Sequence, residues 1–188
     1  KALGAKIVNT SREEGMLGAE KKAEELIKEI PGAISLGQFH NPANPLAHYE
    51  TTGPEIYRQM DGKIDYFVAG AGSGGTFSGV MRYLKEKNPD ITVIGIEPFD
   101  SPLITKGVAG PHGIQGIGAN FIPDNLDRSI YDEVFPVTEE EAYVAAQALA
   151  REQGILVGIS SGAALFATTV LSADPAYEGK TIVVILPD

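Results

Sequence analysis

The chain contains no cysteine, which excludes disulfides, thiolate metal sites and a cysteine nucleophile, and fits a reducing cytoplasm. Long apolar runs are missing too. The longest, Tyr66 to Ala71 and Thr181 to Leu186, fall far short of the ~20 residues that a bilayer-crossing helix needs. No signal-peptide pattern is read, so no membrane partner is expected. Positive charge is scarce: 15 Lys and Arg stand against 25 Asp and Glu, for a net charge of −10. The basic residues are scattered instead of forming a stripe, so a nucleic acid is not an expected partner. Histidines number three, His40, His48 and His112. None stands at metal-ligand spacing from another, and no metal is expected.

What is present describes an ordinary globular chain. With 188 residues, 43% hydrophobic and 21% charged, it is long enough to bury roughly 70% of its unfolded surface. The spacing predicts a short strand over Ala5–Asn9, a helix over Glu13–Ile30 stopped by Pro31-Gly32, and a strand over Ala33–Phe39. The two prolines of Asn41-Pro42-Ala43-Asn44-Pro45 are expected to forbid regular structure there, making a fixed domain crossing. A helix is expected over His48–Met60. Strands Tyr66–Ala69, Thr92–Ile96 and Thr181–Leu186 then alternate with helices Phe77–Lys87, Glu139–Gln153 and Ala163–Leu171. Short apolar strands between helices imply an α/β fold, a three-layer open parallel sheet with helices on both faces. Residues 1–41 read as part of a smaller α/β domain with the domain crossing, and 42–188 as the larger domain. Pro98 to Pro136, rich in glycine and proline, reads as a long loop region or one with only brief elements.

Three segments carry possible chemistry. Gly70-Ala71-Gly72-Ser73-Gly74-Gly75-Thr76 follows an apolar strand and precedes a helix. Free N–H groups and the dipole at a helix N-terminus favour an anion, and glycine lets a phosphate approach the backbone. The Ser73 and Thr76 hydroxyls add donors. Gly70, Gly72 and Gly75 also fit a dinucleotide fingerprint, with Glu97 at the end of the next strand as a ribose-binding acid. A dinucleotide-binding oxidoreductase is therefore the alternative from another class. The second segment, Gly158-Ile159-Ser160-Ser161-Gly162, enters a helix, where either serine could serve as N-cap. The third, Pro111-His112-Gly113-Ile114-Gln115-Gly116-Ile117-Gly118, is a glycine-rich loop whose Gly116 and Gly118 allow a pocket wall to move.

Taken in order, these segments resemble the cysteine synthase (O-acetylserine sulfhydrylase) family of tryptophan-synthase-β-like, fold type II pyridoxal-phosphate enzymes. Gln38-Phe39, Asn41-Pro42-Ala43-Asn44-Pro45 and His48-Tyr49-Glu50-Thr51-Thr52-Gly53-Pro54-Glu55-Ile56 look like that family's domain crossing. The resemblance implies the tryptophan synthase β-like fold and pyridoxal 5'-phosphate as cofactor. It makes Gly72, Ser73, Gly74, Gly75 and Thr76 the phosphate loop, with Ser73 where the family more often has Thr. Ser160 would lie against the pyridine nitrogen. Its neutral hydroxyl stabilises a protonated ring less than a carboxylate would, which suits elimination over transamination. Gln38, Gln115, Gly116 and Gly118 would face substrate.

The activity implied is replacement of the acetoxy group of O-acetyl-L-serine by sulfide, giving L-cysteine and acetate. Cystathionine β-synthase is the alternative within the fold. The resemblance also implies a cytoplasmic homodimer and, as a partner, the C-terminal peptide of serine acetyltransferase. The family's Schiff-base lysine lies in an early small-domain motif, beside a Ser/Thr-Gly-Asn substrate loop. None of the ten lysines, from Lys1 to Lys180, stands in that context, so the parent polypeptide is expected to be longer and this segment alone inactive.

Overall fold

The computed structural model describes residues 2–187. It contains two compact units, residues 1–37 and residues 38–188. In the first unit the only regular element among the described residues is α1 (Gly15–Glu29). The strands expected over Ala5–Asn9 and Ala33–Phe39 do not form. An extended segment needs a partner to satisfy its backbone, and no described strand pairs with either.

The second unit starts with α2 (Ala43–Glu50), inside the stretch expected to be irregular. Pro42 is the N-cap residue, with φ −65°, and Pro45 falls in the first helical turn. First-turn residues have no intrahelical acceptor for their N–H groups, so neither proline removes a bond the helix needs. The single helix expected over His48–Met60 is also corrected. It breaks at Thr51 (φ −122°, ψ −67°) and restarts as α3 (Thr52–Gln59). In a continuous helix Pro54 would lack its donor and clash with the preceding turn, whereas in α3 it again occupies a first turn.

From there the chain alternates: β1 (Tyr66–Gly70), α4 (Gly75–Lys87), β2 (Thr92–Pro98), α5 (Leu103–Lys106), β3 (Glu133–Val137), α6 (Glu139–Gln153), α7 (Ile159–Ser172) and β4 (Ile182–Val184). The stretch from Pro98 to Pro136, expected as loop or as brief elements only, contains the short α5 and most of β3. The start of α6 is fixed by a capping box, Thr138 accepting from the Glu141 N–H while Glu141 accepts from the Thr138 N–H, an arrangement that satisfies two orphan donors.

All strand pairs are parallel, in the order β3-β2-β1-β4. Period-2 alternation sends Phe67, Ala69 and Val93 to one face, against Phe77, Val80, Met81 and Leu84 of α4. It sends Val68, Ile94 and Ile96 to the other, against Ala163, Ala164 and Ala167 of α7. A sheet buried on both faces reads as continuous apolar runs, as these strands do. Among the described residues no helix is long and apolar enough to cross a membrane.

The topology places a site by itself. The chain leaves β1 for β2 and β3 on one side, then returns to lay β4 on the other side of β1. Ligands of open α/β sheets bind at the carboxyl ends of the strands where the order reverses in this way. Here that point is the exit from β1 at Gly70.

Candidate functional site

A cavity of about 680 Å³ opens at this switch point. Its lining includes Gly72, Ser73, Gly74, Gly75 and Thr76, then Gln115, Gly116 and Ile117, and Ser160, with Ile185 and Pro187 at the end of β4. Segments more than 80 residues apart therefore meet in one concavity.

The first wall is the turn from β1 into α4. Its glycines are required by contact. A Cβ on Gly72 would lie 2.5 Å from the Gly116 carbonyl oxygen, one on Gly74 2.7 Å from the Leu126 nitrogen, and one on Gly75 1.8 Å from Asn44 Oδ1. Gly74 is the N-cap residue of α4, at φ 84° with no side-chain cap. The first-turn N–H groups of a helix so exposed form an anion site together with the helix dipole.

Behind this turn stand two residues of α2 that lie on one helix face, at i and i+4. Asn44 donates from Nδ2 to Ser73 Oγ (3.0 Å) and to the Gln38 carbonyl (2.8 Å). His48 places Nε2 3.1 Å from Thr76 Oγ1 and Nδ1 2.9 Å from Thr52 Oγ1. Burial pushes the His48 imidazole below its ordinary pKa range. Sequence reasoning missed both residues as parts of the site. Their i, i+4 spacing becomes a signal only once a helix is allowed to begin at Ala43.

The second wall is the loop before Ala119. His112 Nε2 sits 2.7 Å from the Gly118 carbonyl oxygen, closing the loop on itself, and Gly118 N–H donates to the Ala71 carbonyl (3.3 Å). Gly116 adopts φ 99°, which only glycine takes readily. A Cβ there would lie 3.1 Å from Ser160 Oγ. Ser160 itself lies in the first turn of α7, whose N-cap is Gly158, with no side-chain cap hydrogen bond. The expectation of a Ser160 or Ser161 cap is therefore corrected: Gly158, at φ −77° and ψ 173°, takes that position. Gly162 has a packing role, since a Cβ there would lie 2.1 Å from the Ala142 carbonyl oxygen of α6.

The structure thus brings together Gly72, Ser73, Gly74, Gly75, Thr76, Gln115, Gly116 and Ser160. Gln38 and Gly118 are not in the cavity lining. Gln38 is exposed, its carbonyl accepting from Asn44 and from Asn125 Nδ2 (2.8 Å). The ribose role considered for Glu97 is overturned. Glu97 is 2% exposed, and its carboxylate accepts from the Ile104 N–H at 2.8 Å and from the Thr105 hydroxyl, so its two oxygens are committed to the start of α5.

A second concavity, about 810 Å³, lies between α2, α4 and residues 124–128. Most of its charged groups are paired: Arg82 with Asp127 (3.5 Å), Glu86 with the Tyr49 hydroxyl (2.7 Å) and Asp124 with His40 (2.8 Å). The chemistry concentrates in the first.

Comparison with known proteins agrees with this geometry. The profile of the family described as pyridoxal-phosphate dependent enzyme matches residues 1–188. Cysteine synthase A of Escherichia coli (strain K12) is 50% identical over 196 residues, covering 100% of this chain and 61% of that protein. Among solved structures, a hydrogen sulfide-producing enzyme from Fusobacterium nucleatum superposes with a TM-score of 0.96 at 40% identity, over 100% of this chain and 63% of that one. An O-acetylserine dependent cystathionine beta-synthase from Helicobacter pylori gives 0.92 at 44% identity, over 100% and 60%. The chain spans about three fifths of the length of these relatives.

Proposed function

The chain belongs to the pyridoxal-phosphate dependent enzyme family, and from that premise we propose that the whole protein replaces the acetoxy group of O-acetyl-L-serine with sulfide, as a cysteine synthase. The observation that carries the reading is the convergence of the Gly72–Thr76 turn, the Gln115–Ile117 loop and Ser160 on one cavity. The 50% identity to cysteine synthase A across the whole chain supports it.

The cavity fits the family's cofactor, pyridoxal 5'-phosphate. Close contacts keep Gly72, Gly74 and Gly75 free of side chains, so the backbone is open to a phosphate there. The Ser73 and Thr76 hydroxyls and the α4 N-terminus would hold the phosphate. Ser160 would meet the ring nitrogen with a neutral hydroxyl. When bound, the cofactor supplies the electron sink that lets an amino acid lose its α-proton and a β-substituent. Gln115 and Gly116 would form the wall facing the substrate, with Gly118 anchoring that wall to Ala71. Gln38 would reach the substrate carboxylate from the segment before Asn41. The family's Schiff-base lysine matches no position of this chain, so catalysis is assigned to the whole protein.

The reading extends to a cytoplasmic homodimer whose site also accepts the C-terminal peptide of serine acetyltransferase. The motifs shared with the family support this extension. Sedimentation of the whole protein and competition by that peptide test it.

The deciding experiment is an absorbance spectrum of the whole protein, purified without added cofactor, before and after O-acetylserine, followed by assay of the product formed with sulfide or homocysteine. A visible cofactor band that changes with O-acetylserine, and cysteine as product, are expected. A colourless protein that stays colourless with added pyridoxal phosphate overturns the reading. Cystathionine formed from homocysteine in preference to cysteine from sulfide would instead align the chain with its Helicobacter pylori neighbour.

A further inference from the structure

Behind the phosphate loop stand groups that the reading above leaves unused. His48 bridges Thr76 Oγ1, at 3.1 Å, and Thr52 Oγ1, at 2.9 Å. The helix break at Thr51 carries the chain into α3, whose first residue is Thr52, and the Thr52 hydroxyl meets the ring. Desolvation disfavours the charged ring, so in neutral solution one proton must reside on one of two nitrogens, and the partners decide which.

Each hydroxyl has a single proton to give. If Thr76 donates to Nε2, it turns only lone pairs toward the cavity, which suits a cation and not a phosphate. If Nε2–H donates to Thr76, the Thr76 proton is left for an anion. That tautomer leaves Nδ1 as an acceptor, and the Thr52 hydroxyl stands in place to donate to it.

Ser73 follows the same logic with different parts. Its Oγ accepts from Asn44 Nδ2 at 3.0 Å and from the Gly75 N–H at 3.4 Å. The Asn44 orientation is fixed because the same Nδ2 donates to the Gln38 carbonyl, which can only accept. With donors on its lone pairs, Ser73 also turns its own proton outward.

We propose that His48 is a positioning residue of the phosphate anchor: held as the Nε2–H tautomer by the Thr52 hydroxyl, it donates to Thr76 so that Thr76 donates to the phosphate. Polarisation along such a chain strengthens the terminal donor. The inference rests on the assignment of Gly72–Thr76 as the phosphate loop.

The test titrates the whole protein, freed of its cofactor, with 4-deoxypyridoxine 5'-phosphate, an analogue without the aldehyde, which therefore bonds to no lysine. Calorimetry gives affinity, and ¹⁵N-labelled histidine shows which ring nitrogen bears the proton in the complex. Thr76→Ala is expected to weaken binding roughly tenfold or more, as for a lost hydrogen bond to a charged group. Thr52→Val, which keeps the shape and removes the donor, is expected to weaken it about three- to tenfold, and Thr52→Ser to restore it. A proton on Nδ1 in the complex, or a Thr52→Val protein that binds like the parent while Thr76→Ala does not, overturns the role of His48 alone. Binding unaffected by Thr76→Ala, or no binding at all, removes the phosphate-loop assignment and the relay with it.

Discussion

Asn44 and Ser73 lie 29 positions apart in the chain and meet through a hydrogen bond of 3.0 Å. One amide nitrogen thereby links α2, the Gln38 carbonyl and the turn into α4. Asn44→Ala removes both bonds. Leaving acceptors unpaired costs about 1 to 3 kcal/mol where they are buried, less here because the site is half open. We expect a lower unfolding midpoint and weaker binding of 4-deoxypyridoxine 5'-phosphate together. Asn44→Asp should weaken binding further, because it places a carboxylate beside the anion. Equal affinity in all three proteins would detach Asn44 from the phosphate loop.

Gly74 and Gly154 share a backbone conformation, φ 84° and φ 70°, but differ in surroundings. A Cβ on Gly154 meets nothing within 4 Å, whereas on Gly74 it lies 2.7 Å from Leu126 N. Gly154→Ala should therefore cost only the left-handed penalty, about 1 to 2 kcal/mol. Gly74→Ala adds an overpacking cost of about 1 to 3 kcal/mol and distorts the anion site. Denaturant unfolding of the two variants measures the difference, and equal losses would show that the turn yields freely.

Asp65 links the ends of two neighbouring strands, accepting from the Thr181 N–H at 2.9 Å and from Lys180 at 3.2 Å. The Thr181 N–H foremost, then Lys180, lowers its pKa. A carboxylate whose folded pKa lies below its unfolded value of about 3.9 stabilises the fold above that value. The contribution is lost as pH falls through the lower, folded pKa. Asp65→Asn should be less stable than the parent near neutrality, and the gap should close on acidification below about pH 4. A gap independent of pH would mean that the contact acts by shape alone.

The layered fold was legible because its signals are local. Apolar runs at Tyr66 and Thr92 could only be buried strands, and Glu139–Gln153 carries its own cap at Thr138 and Gly154. The phosphate-type turn was legible for the same reason: strand, glycines and helix lie in one stretch. What failed depended on partners or on position within an element. Ala5–Asn9 has a strand's composition, but no strand among the described residues pairs with it. Pro42 and Pro45 read as breakers until their place in a first turn is known. Glu97 has the spacing of a ribose ligand, but Ile104 and Thr105, which bind it, come from a helix hidden in a region that reads as loop. Asn44 and His48 acquire meaning only when α2 is packed against α4.

Ser160 separates holding the cofactor from using it. It sits in the first turn of α7 without capping it, so Ser160→Ala removes no cap, and alanine is the better helix former by a few tenths of a kcal/mol. The unfolding midpoint should not fall. Its hydroxyl lines the cavity beside Gly116 and would meet the ring and not the phosphate, so binding of 4-deoxypyridoxine 5'-phosphate should change by only about fivefold, the loss of one neutral hydrogen bond. Turnover of O-acetylserine and sulfide by the whole protein should fall about tenfold or more if the hydroxyl meets the ring nitrogen during the reaction. Ser160→Ala with parental turnover would remove this residue from the chemistry, while loss of binding with turnover preserved at saturating cofactor would make it part of the anchor.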